Sequence, residues 1–172
     1  MKNFEILPKF PQEIIDGVKD YWHNHRKEED IFRAYAEAIL TRLDLTHELD
    51  HILAPLKDLD IVNYGYLIAP KDYGIAPPHI DRRDAALNLP IVVDTEKSFL
   101  YADKTRDVYD RLYCPEYEEE KFDHYNMESP VILNGRFSHG WANFSSERRV
   151  LFTMSFMTPY DEVVKTLPNE WF

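Results

Sequence analysis

With 172 residues and a formal net charge of −11 at pH 7, the chain is long enough for one domain with a sizeable core, and its acidity disfavours phosphate backbones and anionic membrane surfaces as partners. Ten Phe, eleven Tyr and three Trp supply the apolar material of an ordered globular protein rather than a disordered tail. The lone cysteine, Cys114, excludes an internal disulfide and a thiolate metal cluster, and suits a reducing compartment. The N-terminal residues lack the apolar run of a signal peptide, and no stretch approaches the roughly 20 apolar residues of a membrane span. A cytoplasmic protein with neither nucleic-acid nor membrane partners is expected.

Helical signals come first along the chain. After Pro11, the residues Ile14, Ile15, Val18, Tyr21 and Trp22 recur at helical spacing. Beyond a polar stretch from His23 to Glu29, the residues Ile31, Phe32, Tyr35, Ile39, Leu40 and Leu43 predict a second helix. A third is expected over Leu45, Leu49, Ile52, Leu53 and Leu56, bent or ended near Pro55.

From Ile61 the period changes to short β-rich runs punctuated by Pro, Gly, Asn and Asp. Strands are predicted at Ile61–Ile68, His79–Asp81, Ala86–Val93, Ser98–Tyr101, Pro130–Leu133, Phe137–Trp141 and Val150–Phe156. Asn134-Gly135 reads as a two-residue hairpin turn. About seven short strands behind a helical N-terminal third point to a β-sandwich or jelly roll with helices outside it. The acidic, Tyr-rich segment Asp103–Ser129 reads as a solvated loop, with a lid over a pocket as the functional alternative.

His79-Ile80-Asp81 is a His-x-Asp triplet in β context. On a strand, residues i and i+2 project from one face, so both side chains would enter one cavity. With a His from a distant strand they make a facial triad that leaves other metal positions open. His139, after the Asn-Gly turn, is the candidate third ligand.

Arg149 opens the run Arg149–Phe156. Read with period two, Val150, Phe152, Met154 and Phe156 form an apolar face suited to packing under helices, while Arg149, Leu151, Thr153 and Ser155 form a more polar one. A guanidinium with two hydroxyls on one side can line a carboxylate pocket, since Arg binds carboxylates bidentately. Sidedness favours Arg149 over Arg148. Each of these residues also has a structural reading: a hydrogen-bonded His79–Asp81 pair, a core His139, an ion-paired Arg149. Arg82 and Arg83 read as surface charges, with contacts to an anionic substrate as the alternative.

A rival metal motif, His47-Glu48-Leu49-Asp50-His51, matches the His-Glu-x-x-His zinc-hydrolase pattern. At about 100° per residue, however, Leu45, Leu49, Ile52, Leu53 and Leu56 share one face, which turns His47 and His51 towards water.

The stretch from His139 through Asn143 and Arg149 to Phe156, with His79-x-Asp81 and Asn88, resembles the Fe(II)/2-oxoglutarate-dependent oxygenases, especially their aspartyl/asparaginyl β-hydroxylase and proline-hydroxylase branches. The resemblance spans roughly residues 61–159. It implies a double-stranded β-helix (jelly-roll, cupin-like) core over 61–159, with 1–60 as mostly helical support, in a single domain over 1–172. It further implies Fe(II) held by His79, Asp81 and His139, 2-oxoglutarate paired with Arg149, and O2 as the oxidant. Thr153 or Ser155 would add a hydrogen bond to the co-substrate, and Asn88 would contact its other end. The reaction implied is hydroxylation of a small molecule or of an amino-acid or peptidyl side chain, with release of succinate and CO2. Halogenating relatives replace the carboxylate ligand with a small residue, so Asp81 favours hydroxylation. A zinc hydrolase built on His47, Glu48 and His51, or a catalytically silent jelly-roll binding protein, stands as the alternative.

Overall fold

A computed structural model describes residues 2–25, 32–33, 39–42, 49–59, 61–72, 74–104 and 119–172. The elements run β1 (Phe4–Ile6), α1 (Gln12–His25), β2 (Phe32–Arg33), β3 (Ile39–Arg42), α2 (Asp50–Leu53), β4 (Ile61–Ala69), β5 (Gly74–His79), β6 (Ala85–Val92), β7 (Ser98–Asp103), β8 (Phe122–Tyr125), β9 (Val131–Asn134), β10 (His139–Asn143), β11 (Arg149–Phe156) and α3 (Tyr160–Thr166). Seven strands form one sheet in the order β1-β9-β6-β11-β4-β3-β2, and four form a second in the order β5-β10-β7-β8. All pairings are antiparallel. This is the jelly-roll class expected from the strand pattern.

Strand β11 lies between β4 and β6, and its two faces do what their composition predicts. Val150, Phe152, Met154 and Phe156 join a core with Ile14, Val18 and Trp22 of α1 and with Tyr64, Tyr66 and Ile68 of β4. Phe152 sits at its centre, its ring 5.3 Å from that of Tyr66 and 5.7 Å from that of Tyr64. Tyr66 lies with its ring tilted against that of Trp22 at 4.8 Å and donates its hydroxyl to the Val18 carbonyl at 2.7 Å, so helix and sheet are joined by apolar and polar contacts together. On the opposite face Leu151 packs between the sheets with Leu100, Ala102, Val131 and Leu133.

The helical expectations divide. The first helix forms as α1, starting directly after Pro11. Within the stretch Ile31–Leu43, the described residues are strand rather than helix: Phe32 pairs with Leu40, and Leu40 with Leu67 of β4. The adjacent pair Ile39-Leu40 satisfies either period, and the unpaired side of β4 decides in favour of a sheet. The N-terminal third is therefore mixed rather than mostly helical, and it includes β1, which pairs with β9. The third helix is short: α2 gives way to a 3₁₀ turn over Ala54–Leu56, with Pro55 at its start. Leu49, Leu53 and Leu56 are buried as the pattern predicts. Among the described residues no helix is long and apolar enough to cross a membrane.

Asn134-Gly135 does not make a two-residue hairpin. The strands on either side belong to different sheets, β9 to the larger and β10 to the smaller. The chain turns between them as the Phe137 amide donates to the Asn134 carbonyl at 3.1 Å and the Arg136 amide to Asn134 Oδ1 at 3.1 Å. No glycine here has a positive φ. Gly135 is required for space: a Cβ there would collide with the Arg83 carbonyl oxygen.

The segment 103–129 contains β8, which pairs with β7. The lid reading falls on residues 105–118, which lie outside the described ones.

Truncating Phe152 to Ala leaves a cavity between helix and sheet and is expected to cost about 3–5 kcal/mol, read as a lowered denaturant midpoint with an unchanged slope.

Candidate functional site

Strand β5 is an edge strand that carries consecutive prolines, and those prolines aim its last residue. His139 of β10 pairs with His79, but Trp141, two residues on, pairs with Ala76, three residues back. The extra residue is a bulge at Pro77-Pro78, where proline cannot donate to the ladder. In a regular strand His79 would share the outward face of Ile75 and Pro77; the bulge brings it round to oppose His139. The His79 ring Nδ1 lies 2.8 Å from the Pro77 carbonyl oxygen. His139 repeats the arrangement, with Nδ1 2.9 Å from the Phe137 carbonyl oxygen. A carbonyl only accepts, so each Nδ1 carries a proton, and it is Nε2 that each ring turns to the cluster.

The two Nε2 atoms converge on one carboxylate. Asp81 Oδ1 is 3.6 Å from His79 Nε2, and Asp81 Oδ2 is 3.3 Å from His139 Nε2. The ligand-capable atoms of His79, Asp81 and His139 lie within 4.8 Å of one another. Asp81 does not share a strand with His79, as the triplet predicts, because β5 ends at His79. The carboxylate reaches the cluster from the following loop instead.

Burial, followed by the neighbouring His139, lowers the basicity of His79, which keeps its lone pair free at neutral pH. For Asp81, burial alone would raise the carboxyl. The neighbouring His139, followed by the Arg83 guanidinium, outweighs it and holds the group well below the usual carboxylate range. Two imidazole Nε2 atoms and a carboxylate facing one point form a donor set that fits a divalent cation of the 2-His-1-carboxylate type.

Arg149 and Trp141 face each other from opposite sheets. The Arg149 guanidinium carbon is 4.5 Å from the Trp141 ring centroid. Trp141 lies two residues from His139, or about 7 Å along a strand. Arg149 is 1 % exposed, and none of Nε, Nη1 or Nη2 has a hydrogen-bond partner among the described residues. Burial pushes its pKa down to about 9, which leaves it charged at pH 7. A buried cation over one ring, with no hydrogen-bond partner among the described residues, is chemically suited to an anion. Arg148, by contrast, is exposed.

The remaining candidates fall in different places. Thr153 is buried on the same face of β11, and its hydroxyl has no described partner. Asn88 is its register partner on β6 and is 5 % exposed. Ser155 Oγ accepts a hydrogen bond from Arg83 Nη1 at 2.6 Å, so in this structure its partner is the ligand loop. Arg83 is not the free surface charge expected of it. It also donates from Nε to Asp81 Oδ2 at 2.6 Å. Arg82 is exposed. Of the rival motif, His47 and Glu48 lie outside the described residues, and His51 is exposed. Period-two reading from His139 would have found Trp141; nothing local in the sequence signals the reach of Arg83.

No family model and no curated protein matches the sequence. Solved structures match its fold. A Pseudomonas putida prolyl-4-hydroxylase aligns with a TM-score of 0.63 at 11% identity, over 90% of this chain and 91% of that one. HygX from Streptomyces hygroscopicus, solved with nickel, 2-oxoglutarate and hygromycin B, aligns with a TM-score of 0.60 at 12% identity, over 89% of this chain and 82% of that one. SnoN, a non-heme alpha-ketoglutarate-dependent epimerase from nogalamycin biosynthesis, aligns with a TM-score of 0.59 at 11% identity, covering 89% and 77%. The chain thus has the jelly-roll fold of 2-oxoglutarate-dependent oxygenases. At these identities the likeness concerns the fold, and no hydroxylase branch is singled out.

Because Arg149 is buried without an anion, Arg149→Met should stabilise the ligand-free protein by about 1–3 kcal/mol, after allowance for the lost contact with Trp141. A lowered unfolding midpoint in denaturant would show instead that the guanidinium is already compensated.

Proposed function

We propose that this chain is an Fe(II)- and 2-oxoglutarate-dependent dioxygenase, in which His79, Asp81 and His139 hold the metal and Arg149 holds the far carboxylate of the co-substrate. The observation that carries the reading is the guanidinium of Arg149, without a hydrogen-bond partner among the described residues and over the ring of Trp141, which lies one pleat along its strand from His139 of the His/Asp/His cluster. A cation site beside a buried site for an anion suits a metal-chelating dicarboxylate better than it suits a hydrolytic water alone. The two structural neighbours described with 2-oxoglutarate or a dependence on it support the same reading.

With iron, 2-oxoglutarate and O2 bound, the site would supply oxidative decarboxylation to succinate and CO2, coupled to hydroxylation of an unactivated C–H. The residues of this chain contribute placement. The carbonyls of Pro77 and Phe137 fix the tautomers of His79 and His139 so that both present Nε2. Arg149 fixes one end of the co-substrate by charge and fork geometry, and Trp141 limits its motion and excludes water. Thr153 would give a hydroxyl to the bound acid, and Asn88, its register partner, would contact the opposite end.

The substrate class we infer is a small molecule, an amino acid or a peptidyl side chain, in the manner of the aspartyl/asparaginyl and proline hydroxylases; the net charge of −11 disfavours nucleic acid. Asp81 as a carboxylate ligand favours hydroxylation. The single cysteine is in keeping with a cytoplasmic enzyme.

Anaerobic titration of metal-free protein with Fe(II) and then 2-oxoglutarate tests the assignment. A broad visible charge-transfer band is expected only when both are present. It should vanish in His79→Ala and weaken at least tenfold in apparent 2-oxoglutarate affinity in Arg149→Met. Folded wild-type protein that shows no band under these conditions would remove the oxygenase reading. A band without turnover of 2-oxoglutarate across candidate substrates would favour a silent binding protein.

A further inference from the structure

The three ligand-capable residues are not held in the same way. His79 and His139 belong to paired strands, and each is fixed at Nδ1 by a carbonyl two residues earlier in its own chain. Asp81 has neither support. It lies past the end of β5, in the loop that carries the chain from the small sheet to β6 in the large one. A carboxylate there has its own rotamers and the loop's freedom to lose before it can bind in one geometry.

Two kinds of contact restrain that loop. Its backbone is pinned where the Asp84 amide donates to the Phe156 carbonyl at 3.0 Å and the Gly135 amide to the Asp84 carbonyl at 3.0 Å. Its side chains are joined by Arg83, which donates Nε to Asp81 Oδ2 and Nη1 to Ser155 Oγ, each at 2.6 Å. The loop and β11 are 72 residues apart at that bond. The Arg83 and Asp81 side chains are 26% and 20% exposed, so the pair is largely shielded. One guanidinium therefore ties the carboxylate to the central strand of the large sheet.

We propose that Arg83 is the positioning residue for Asp81, with Ser155 as its anchor on β11, so that the metal affinity of the centre depends on a guanidinium fork that touches no metal. The proposal rests on the metal-centre reading above. Ser155 then serves the ligand loop rather than the co-substrate. Charge alone makes the opposite prediction: a cation beside the site repels a second cation, so deleting Arg83 should tighten metal binding if orientation is unimportant. Losses on removing an outer hydrogen-bond partner of a metal ligand typically run about 10–100-fold in affinity.

The test is Mn(II) binding to metal-free protein, followed by the electron paramagnetic resonance of the free ion, with the melting temperature of each metal-free variant recorded beside it. Arg83→Leu is expected to weaken Mn(II) binding at least tenfold. Arg83→Lys, which keeps the charge but not the fork, is expected to lose nearly as much. Ser155→Ala is expected to lose several-fold with little change in metal-free melting temperature, and it keeps the proposal open to refutation should Arg83→Leu fold poorly. Wild-type affinity in Arg83→Lys and Ser155→Ala, or tighter binding in Arg83→Leu, would overturn the positioning role while leaving the metal centre intact. Wild-type protein that binds no Mn(II) at all would overturn the metal centre itself, and the proposal with it.

Discussion

Because β11 is central in the large sheet and all eight of its residues are buried, each side chain on it must be apolar or be answered by a polar partner. One face meets the requirement with Val150, Phe152, Met154 and Phe156 against the helices. The other carries a guanidinium and two hydroxyls, and only part of that polarity is satisfied within the chain: Ser155 by Arg83, Arg149 by the face of Trp141, Thr153 by nothing described. An ordinary core would have replaced such residues with leucine or valine. On a strand whose residues are all buried, such side chains cost stability unless a ligand answers them.

That cost connects stability to function. A charge kept dry without a counter-ion disfavours the ligand-free state, and on the proposed reading a bound carboxylate would remove the penalty. Under that proposal part of the affinity for an acid would be stored in the folded chain before the acid arrives, by the same logic that makes pre-organised sites stronger than flexible ones. The two histidines illustrate the same economy at lower energy. Their tautomers are set by carbonyls of their own strands, so no rearrangement is needed for both to present a lone pair.

Much of this was legible in the residues. The alternation over Arg149–Phe156 separated the helix-facing side from the polar side, and the choice of Arg149 over Arg148 followed from it. The period change near Ile61 marked the start of the sheet core. What failed did so for physical reasons. Ile39-Leu40 is compatible with helix and strand, and only the open side of β4 selects strand. Asn134-Gly135 carries a hairpin signal, yet in a jelly roll successive strands switch sheets, so the turn serves a corner. His79 and Asp81 meet as the triplet suggested, but through a bulge and a loop rather than a shared strand face. Arg83 reached its partners across a separation in sequence that no local pattern encodes.

The consecutive prolines of β5 have a second effect, on how one molecule meets another. As the outermost strand of the small sheet, β5 presents the edge along which a foreign strand could add by main-chain pairing. Pro77 and Pro78 leave that strand two backbone donors short, and the bulge between Ala76 and His79 breaks the straight run that a pairing partner would need. The device that turns His79 inward therefore also makes the rim of the sheet a poor template for growth, so that the meeting of His79 with His139 and resistance to polymerisation are set by the same pair of residues.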